Sequence, residues 1–257
     1  MSSSTVAVTG GCGFIGRHVV AALLNEGHGV VVIDRITAPF DPKVELRFAD
    51  LCDPDSFSLC GALTGVDCVI HCAGLVDTRS GHWHAPRLRR ANVLAVERLI
   101  AACQRVGVHR LVALSSAGAL SDGVWGDDHA AAHGTGLASD YGVSKRDAEL
   151  LVRAANSRTL RTVCVRPQMV FGPGDPLATD EFLFSPIAPP ALGPDDKLQT
   201  PVYVKNLAAI LVHAAAALPR GGTPPAESSR VESSRVESSQ VEPSRAKSSR
   251  AESSRAE

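Results

Sequence analysis

The sequence predicts an α/β domain built on a doubly wound parallel sheet, and three features carry that expectation. Apolar runs of strand length alternate with longer segments of helical period. A glycine-rich turn sits directly between the first apolar run and the first helical segment. Successive apolar runs end in small or polar residues, which would gather on one edge of the sheet, the edge where such folds bind ligands.

The elements follow in order. TVAVTG (5–10) reads as the first strand, and FIGRHVVAALLNEG (14–27) as a helix with Val19 and Leu23 on its apolar side, closed by Gly27. GVVVID (29–34), VELRFAD (44–50) and DCVIHC (67–72) read as strands two to four. A long helix covers roughly 85–106, and RLVALSS (110–116) is the fifth strand. A helix beginning near Ser139 carries Tyr141 and Lys145, and RTVCVRP (161–167) is a sixth strand stopped by its proline. Strands so apolar need cover on both faces.

From about Pro219 the chain turns into repeats of ESSRV, without aromatic residues and with almost nothing to bury, which predicts disorder over 219–257. A period of five matches no solenoid or coiled coil. One codon choice for the repeat is the five-base unit GAGTC read three times, so slippage of DNA would produce it. The expected organisation is therefore a nucleotide-binding domain over 1–166, a partial substrate lobe over 167–218, and the tail. The net charge of -1, with Lys and Arg scattered, gives no basic face for nucleic acid. Seven cysteines (Cys12, Cys52, Cys60, Cys68, Cys72, Cys103 and Cys164) lack paired metal spacing and read as reduced core residues, so no metal is expected and a cytoplasmic location is. Only MSSS precedes the first apolar run, and LAAILVHAAAAL (207–218) is too short to cross a bilayer, so neither a signal peptide nor a transmembrane segment is expected.

VTGGCGFIGRHVV holds Gly10, Gly13 and Gly16 at G-x-x-G-x-x-G spacing, after a strand and opening a helix. Glycine permits the tight turn, the approach of backbone to a pyrophosphate, and close packing of helix on sheet, while the first N–H groups of the helix face the anion. Eighteen residues after Gly16 the second strand ends in Asp34. A carboxylate there accepts the ribose hydroxyls and repels a 2′-phosphate, favouring NAD over NADP; the adjacent Arg35 weakens that preference, and a plain turn-forming role for Asp34 stays open. Asp50 at the end of the third strand can reach the adenine edge, and HCAG (71–74) supplies small residues where backbone must lie against a cofactor.

YGVSK (141–145) sets Tyr141 and Lys145 on one helical face, and Ser116 ends the fifth strand 25 residues upstream. Such a Tyr–Lys pair is also an ordinary helix surface; the glycine fingerprint and the Ser–Ser strand end favour chemistry. A phenol is a poor acid at neutral pH unless a nearby ammonium and a cationic nicotinamide favour its phenolate. Ser116 would then hydrogen-bond the substrate oxygen, Tyr141 carry its proton, and Lys145 tune Tyr141.

With VIHCAGLVD (69–77), ANVLAVERLIAAC (91–103), VRPQMVFGPGD (165–175) and VYVKNLAAILVHAA (202–215), these motifs resemble the extended short-chain dehydrogenase/reductase superfamily, and within it the 3β-hydroxysteroid dehydrogenase/isomerase family, over residues 5 to about 218. The resemblance implies a Rossmann fold, a catalytic set of Ser116, Tyr141 and Lys145, and NAD held by Gly10, Gly13, Phe14, Ile15, Gly16, Asp34, Asp50, Leu51, Ala73, Gly74 and Asn92 together with Tyr141 and Lys145. It further implies oxidation of a 3β-hydroxyl of a steroid or sterol, with a shift of the 5,6 double bond to 4,5 in some members, a homodimer, and a substrate lobe cut short where the repeats begin.

Two rival readings remain. One is a nucleotide-sugar epimerase or dehydratase of the same superfamily, which must neutralise a substrate diphosphate with Arg or Lys. Residues 176–201 carry no Arg, one Lys (Lys197) and four acids, which suits an apolar ligand better; Trp125, Phe182, Leu183, Phe184 and Ile187 are candidates to line its pocket. The other is a truncated remnant that binds NAD without turnover, against which the intact Ser116, Tyr141 and Lys145 argue.

Overall fold

The computed structural model describes residues 4–53, 55–77, 83–120, 139–176 and 201–220. The candidate pocket residues Trp125, Phe182, Leu183, Phe184 and Ile187, and the repeat tail beyond Arg220, lie outside them.

Six strands, β1 (Thr5–Thr9), β2 (Gly29–Asp34), β3 (Val44–Phe48), β4 (Cys68–His71), β5 (Arg110–Leu114) and β6 (Arg161–Val165), form one sheet in the order β3-β2-β1-β4-β5-β6. Every neighbouring pair is parallel. The helices are α1 (Phe14–Asn25), α2 (Ser56–Leu63), α3 (Ala85–Leu88), α4 (Ala95–Val106), α5 (Asp140–Ala154) and α6 (Val204–Ala217). The period-two alternation of the strands sorts them into two layers. Val6, Val8, Val30, Val32, Ile70 and Val112 point to one face, where Val19 and Leu23 of α1 and Leu207 and Leu211 of α6 cover them. Ala7, Val31, Ile33, Val69 and Leu111 point to the other, against α2, α4 and α5. This is the doubly wound Rossmann sheet the alternation predicted.

Differences from the sequence reading are local. Strands one, three, four, five and six each stop one or two residues early, releasing Gly10, Asp50, Cys72, Ser116 and Arg166 into the turns beyond. β3 is an edge strand, with Leu46 and Phe48 exposed, rather than one covered on both faces. Helix α2 escaped notice because its apolar pattern is short; it buries Leu59, Ala62 and Leu63. The long helix over 85–106 is interrupted by a π-helical turn at Arg89–Leu94. A second, two-stranded parallel sheet pairs β7 (Val170–Phe171) with β8 (Val202–Tyr203). Helix α6, counted by sequence with the substrate lobe, packs beside α1 on the main sheet, because its apolar face of Leu207, Leu211 and Val212 matches the uncovered side of β4 and β5. Among the described residues no helix is long and apolar enough to cross a membrane.

Candidate active site

The strand order reverses between β1 and β4, and there the glycine turn meets the loop after β4. Gly10 has φ 69°, and a Cβ on it would fall 2.6 Å from the Ala73 backbone. A Cβ on Gly16 would fall 2.2 Å from the Gly10 carbonyl, so this helix start cannot close on the sheet with any other residue. Gly13 is exposed and is the residue before the first turn of α1, where no side chain caps the free N–H groups. Phe14 and Ile15 follow in that turn; the Phe14 side chain packs edge-on against His18 and that of Ile15 against the core, so neither side chain lines the cleft.

A cleft of about 520 Å³ opens at this edge, lined by Gly10, Gly13, Asp34, Asp50, Leu51, Ala73 and Gly74 among others. That size falls in the ordinary range of roughly 300–1,000 Å³ for small-molecule sites. Asp34 caps the turn and also lines the cleft. Its carboxylate accepts from the Arg35 N–H at 2.7 Å and the Cys12 N–H at 3.0 Å. Asp50 likewise accepts from the Cys52 N–H at 2.8 Å. Arg87 and Arg90, which sequence reasoning did not single out, line the same cleft from the helical segment after β4.

The inner end of the cleft meets the catalytic candidates at Gly74. A Cβ there would lie 3.3 Å from both Asn92 Oδ1 and Lys145 Nζ. Asn92, in the π-helical turn, accepts from the Leu75 N–H at 2.8 Å and donates to the Leu75 carbonyl at 3.0 Å and to Ser144 Oγ at 2.9 Å. Ser144 in turn donates to the Tyr141 carbonyl at 2.8 Å. One amide thus ties the cofactor-side loop to the helix that carries Tyr141.

Ser116 and Tyr141 come together: the Ser116 hydroxyl is close enough to the Tyr141 phenol to act on its acidity. Ser116 leads into a 3₁₀ turn at Ala117–Ala119, and Ser139 caps α5 by accepting from the Gly142 N–H at 3.1 Å. Burial pushes the Tyr141 phenol above its usual range, and the Ser116 hydroxyl pulls it back. The sequence reading gave that lowering to Lys145 together with a cationic nicotinamide. Lys145 Nζ here donates to the Leu114 carbonyl at 3.1 Å, and burial pushes its own pKa down to about 8. His71, also buried, bonds Thr9 Oγ1 at 2.7 Å and is held neutral, its pKa pushed down to about 3 by burial and by Lys145.

Sequence reasoning passed over Glu149, one helical turn beyond Lys145 on the same face. It is 2 % exposed and accepts from Ser115 Oγ at 2.8 Å and from Arg166 Nε at 2.9 Å. The i, i+4 spacing from Lys145 was the available signal.

The model of the 3-beta hydroxysteroid dehydrogenase/isomerase family matches residues 7–233. The chain belongs to that family. A 2-alkyl-3-oxoalkanoate reductase from Stenotrophomonas maltophilia is 32 % identical over 66 % of this chain and 52 % of its own length. A 3 beta-hydroxysteroid dehydrogenase/Delta 5-->4-isomerase from Mycobacterium tuberculosis is 30 % identical over 87 % of this chain and 63 % of its own. This member of the 3-beta hydroxysteroid dehydrogenase/isomerase family thus spans about half to two thirds of the length of such curated relatives. Among solved structures, MoeE5 in complex with UDP-glucuronic acid and NAD superposes with a TM-score of 0.70 at 31 % identity, covering 84 % of this chain and 74 % of that one.

Proposed function

We propose that this chain is an NAD-dependent oxidoreductase acting on a secondary alcohol, the 3β-hydroxyl of a steroid or sterol. The observation that carries the proposal is the meeting at Gly74: the cleft edge passes against Lys145, and the same helix presents Tyr141 to Ser116.

The residues present fit a dinucleotide. Gly10 and Gly16 leave no room for side chains where the turn closes, exposed Gly13 leaves the first N–H groups of α1 open to a pyrophosphate, and Asp34 offers a carboxylate to the ribose hydroxyls. Gly10, Gly13, Asp34, Asp50, Leu51, Ala73 and Gly74 would line its cleft. When bound, NAD supplies the hydride acceptor. The protein supplies the proton path. Ser116 hydrogen-bonds the substrate oxygen; Tyr141, whose phenolate form a positive nicotinamide would favour against the upward push of burial, takes the hydroxyl proton as the adjacent carbon gives up its hydride; Lys145 provides a buried cation beside this centre, and the buried site excludes bulk water. In the reductive direction the same phenol returns the proton to the carbonyl oxygen.

The apolar substrate is supported by the 3 beta-hydroxysteroid dehydrogenase relative and by the acidic, arginine-free stretch 176–201. The MoeE5 likeness favours a nucleotide sugar as the second reading. The test is NADH formation by the full chain from a 3β-hydroxysteroid, beside conversion of a UDP-hexose to its epimer or dehydrated product followed by chromatography. The expected result is turnover of the steroid alone. Turnover of the nucleotide sugar alone replaces the substrate assignment, and saturable NAD binding without any turnover overturns the enzymatic one.

A further inference from the structure

A carboxylate as deeply buried as Glu149 is costly unless its charge is met and its oxygens are bonded. Its partners are unusual in where they come from. Arg166 reaches it from the residue after β6, through Nε at 3.1 Å and 2.9 Å to its two oxygens and through a further contact from Nη2. Ser115 donates to it from the residue after β5 at 2.8 Å. Arg153, one turn along α5, completes the set from the solvent side at 3.1 Å.

Two of these partners flank the atoms that hold the catalytic serine. Ser115 directly precedes Ser116, and its own N–H donates to the Val165 carbonyl at 2.8 Å. Arg166 directly precedes Pro167, whose carbonyl accepts from Ala117, the residue after Ser116, at 2.9 Å. Glu149 itself stands at the third step of the Tyr141, Lys145, Glu149 series on one helical face. One carboxylate therefore clamps the tyrosine helix to both strand ends that frame Ser116. Spacing between α5 and these strand ends sets how closely the Ser116 hydroxyl approaches the Tyr141 phenol. Displacements of about an ångström at such a contact are enough to change rates on the order of a hundredfold.

From this geometry we infer that Glu149 is a positioning residue: through Ser115 and Arg166 it fixes the Ser116 hydroxyl against the Tyr141 phenol. The inference rests on the reading of Tyr141 as the proton-transfer group. It assigns Glu149 a role beyond a stabilising ion pair, because a pair that only stabilised the fold would leave the acidity of Tyr141 untouched.

The chain has only two tyrosines, so that acidity can be read directly. In NAD-saturated protein carrying ring-¹³C tyrosine, with Tyr203→Phe to leave one signal, the titration of Tyr141 is followed by NMR. Glu149→Gln and Ser115→Ala are each expected to move it to higher pH, in the same direction as Ser116→Ala, with NAD affinity within about twofold of the parent. Arg153→Gln, which removes charge from the solvent side without touching either strand, is expected to leave it in place. If Glu149→Gln does not fold, Ser115→Ala alone decides. An unmoved Tyr141 titration in the folded variants overturns the inference, as does a shift matched by an equal fall in NAD affinity, which marks general loosening. A shifted titration in a chain that makes no NADH from any alcohol sinks the oxidoreductase reading and leaves the clamp standing.

Discussion

Gly142 lies directly beneath the carbonyl of Gly118: a Cβ built on Gly142 would fall 2.4 Å from that oxygen. The glycine inside YGVSK is thus what lets α5 approach the 3₁₀ turn after Ser116 closely enough for the Ser116 hydroxyl to act on the Tyr141 phenol. Gly142→Ala must push the two segments apart. The expected outcome is a fall in kcat of about a hundredfold, with NAD affinity within about twofold of the parent, because the altered contact lies away from the glycine turn and Asp34. Steady-state kinetics beside equilibrium NAD binding separates the two; a variant with full turnover contradicts the role given to this contact.

Asp34 caps its turn and faces the cleft, and the proposed NAD site gives its carboxylate the ribose hydroxyls. Asp34→Ala removes the acceptor of the Cys12 and Arg35 N–H groups and the carboxylate facing the cleft. A hydrogen bond to a charged group contributes about 1.5–3 kcal/mol, so NAD affinity should fall about tenfold or more. NADP affinity should fall less or rise, because the repulsion of a 2′-phosphate disappears while Arg35 remains. Calorimetric titration with both dinucleotides gives the ratio, and an unchanged ratio contradicts the assignment.

The buried ammonium of Lys145 costs the fold stability. Burial lowers its pKa from 10.5 to about 8, so the folded state holds this proton less tightly than the unfolded chain. The cost of the buried ammonium is present in full below about pH 8 and is relieved as pH rises toward 10.5. Lys145→Met is therefore expected to raise unfolding free energy at pH 7 by on the order of 2 kcal/mol, net of the lost bond to the Leu114 carbonyl, while abolishing turnover. Urea unfolding of both proteins at pH 7 and pH 10 checks this: the gain should shrink at the higher pH. An equal difference at both values contradicts the buried-ammonium account.

Much of this was legible in the chain because each signal is local. The strands announced themselves through uninterrupted Val, Ile and Ala, and the glycine turn through the Gly10, Gly13 and Gly16 spacing between a strand and a helix. Asn92 was found through the family resemblance, but its work is done from a π-helical turn, and no periodicity distinguishes such a turn from the α-helix around it. Glu149 was missed because a glutamate on an amphipathic helix usually faces water. Only the tertiary arrival of Ser115 and Arg166 makes it interior. The surroundings of Lys145 were hidden for a similar reason: helical spacing brings it near Tyr141, but the Leu114 carbonyl that its Nζ meets lies on another element.

The most direct measurement is the rate of NADH formation from a 3β-hydroxysteroid by the full chain and by Tyr141→Phe, each beside its NAD affinity. The phenylalanine keeps the ring and loses only the group that moves the proton. Turnover in the parent, a loss of at least about a hundredfold in the variant, and equal NAD binding by both is the expected result. Equal turnover by the two proteins contradicts it, since the proton would then leave by a route that does not pass through Tyr141.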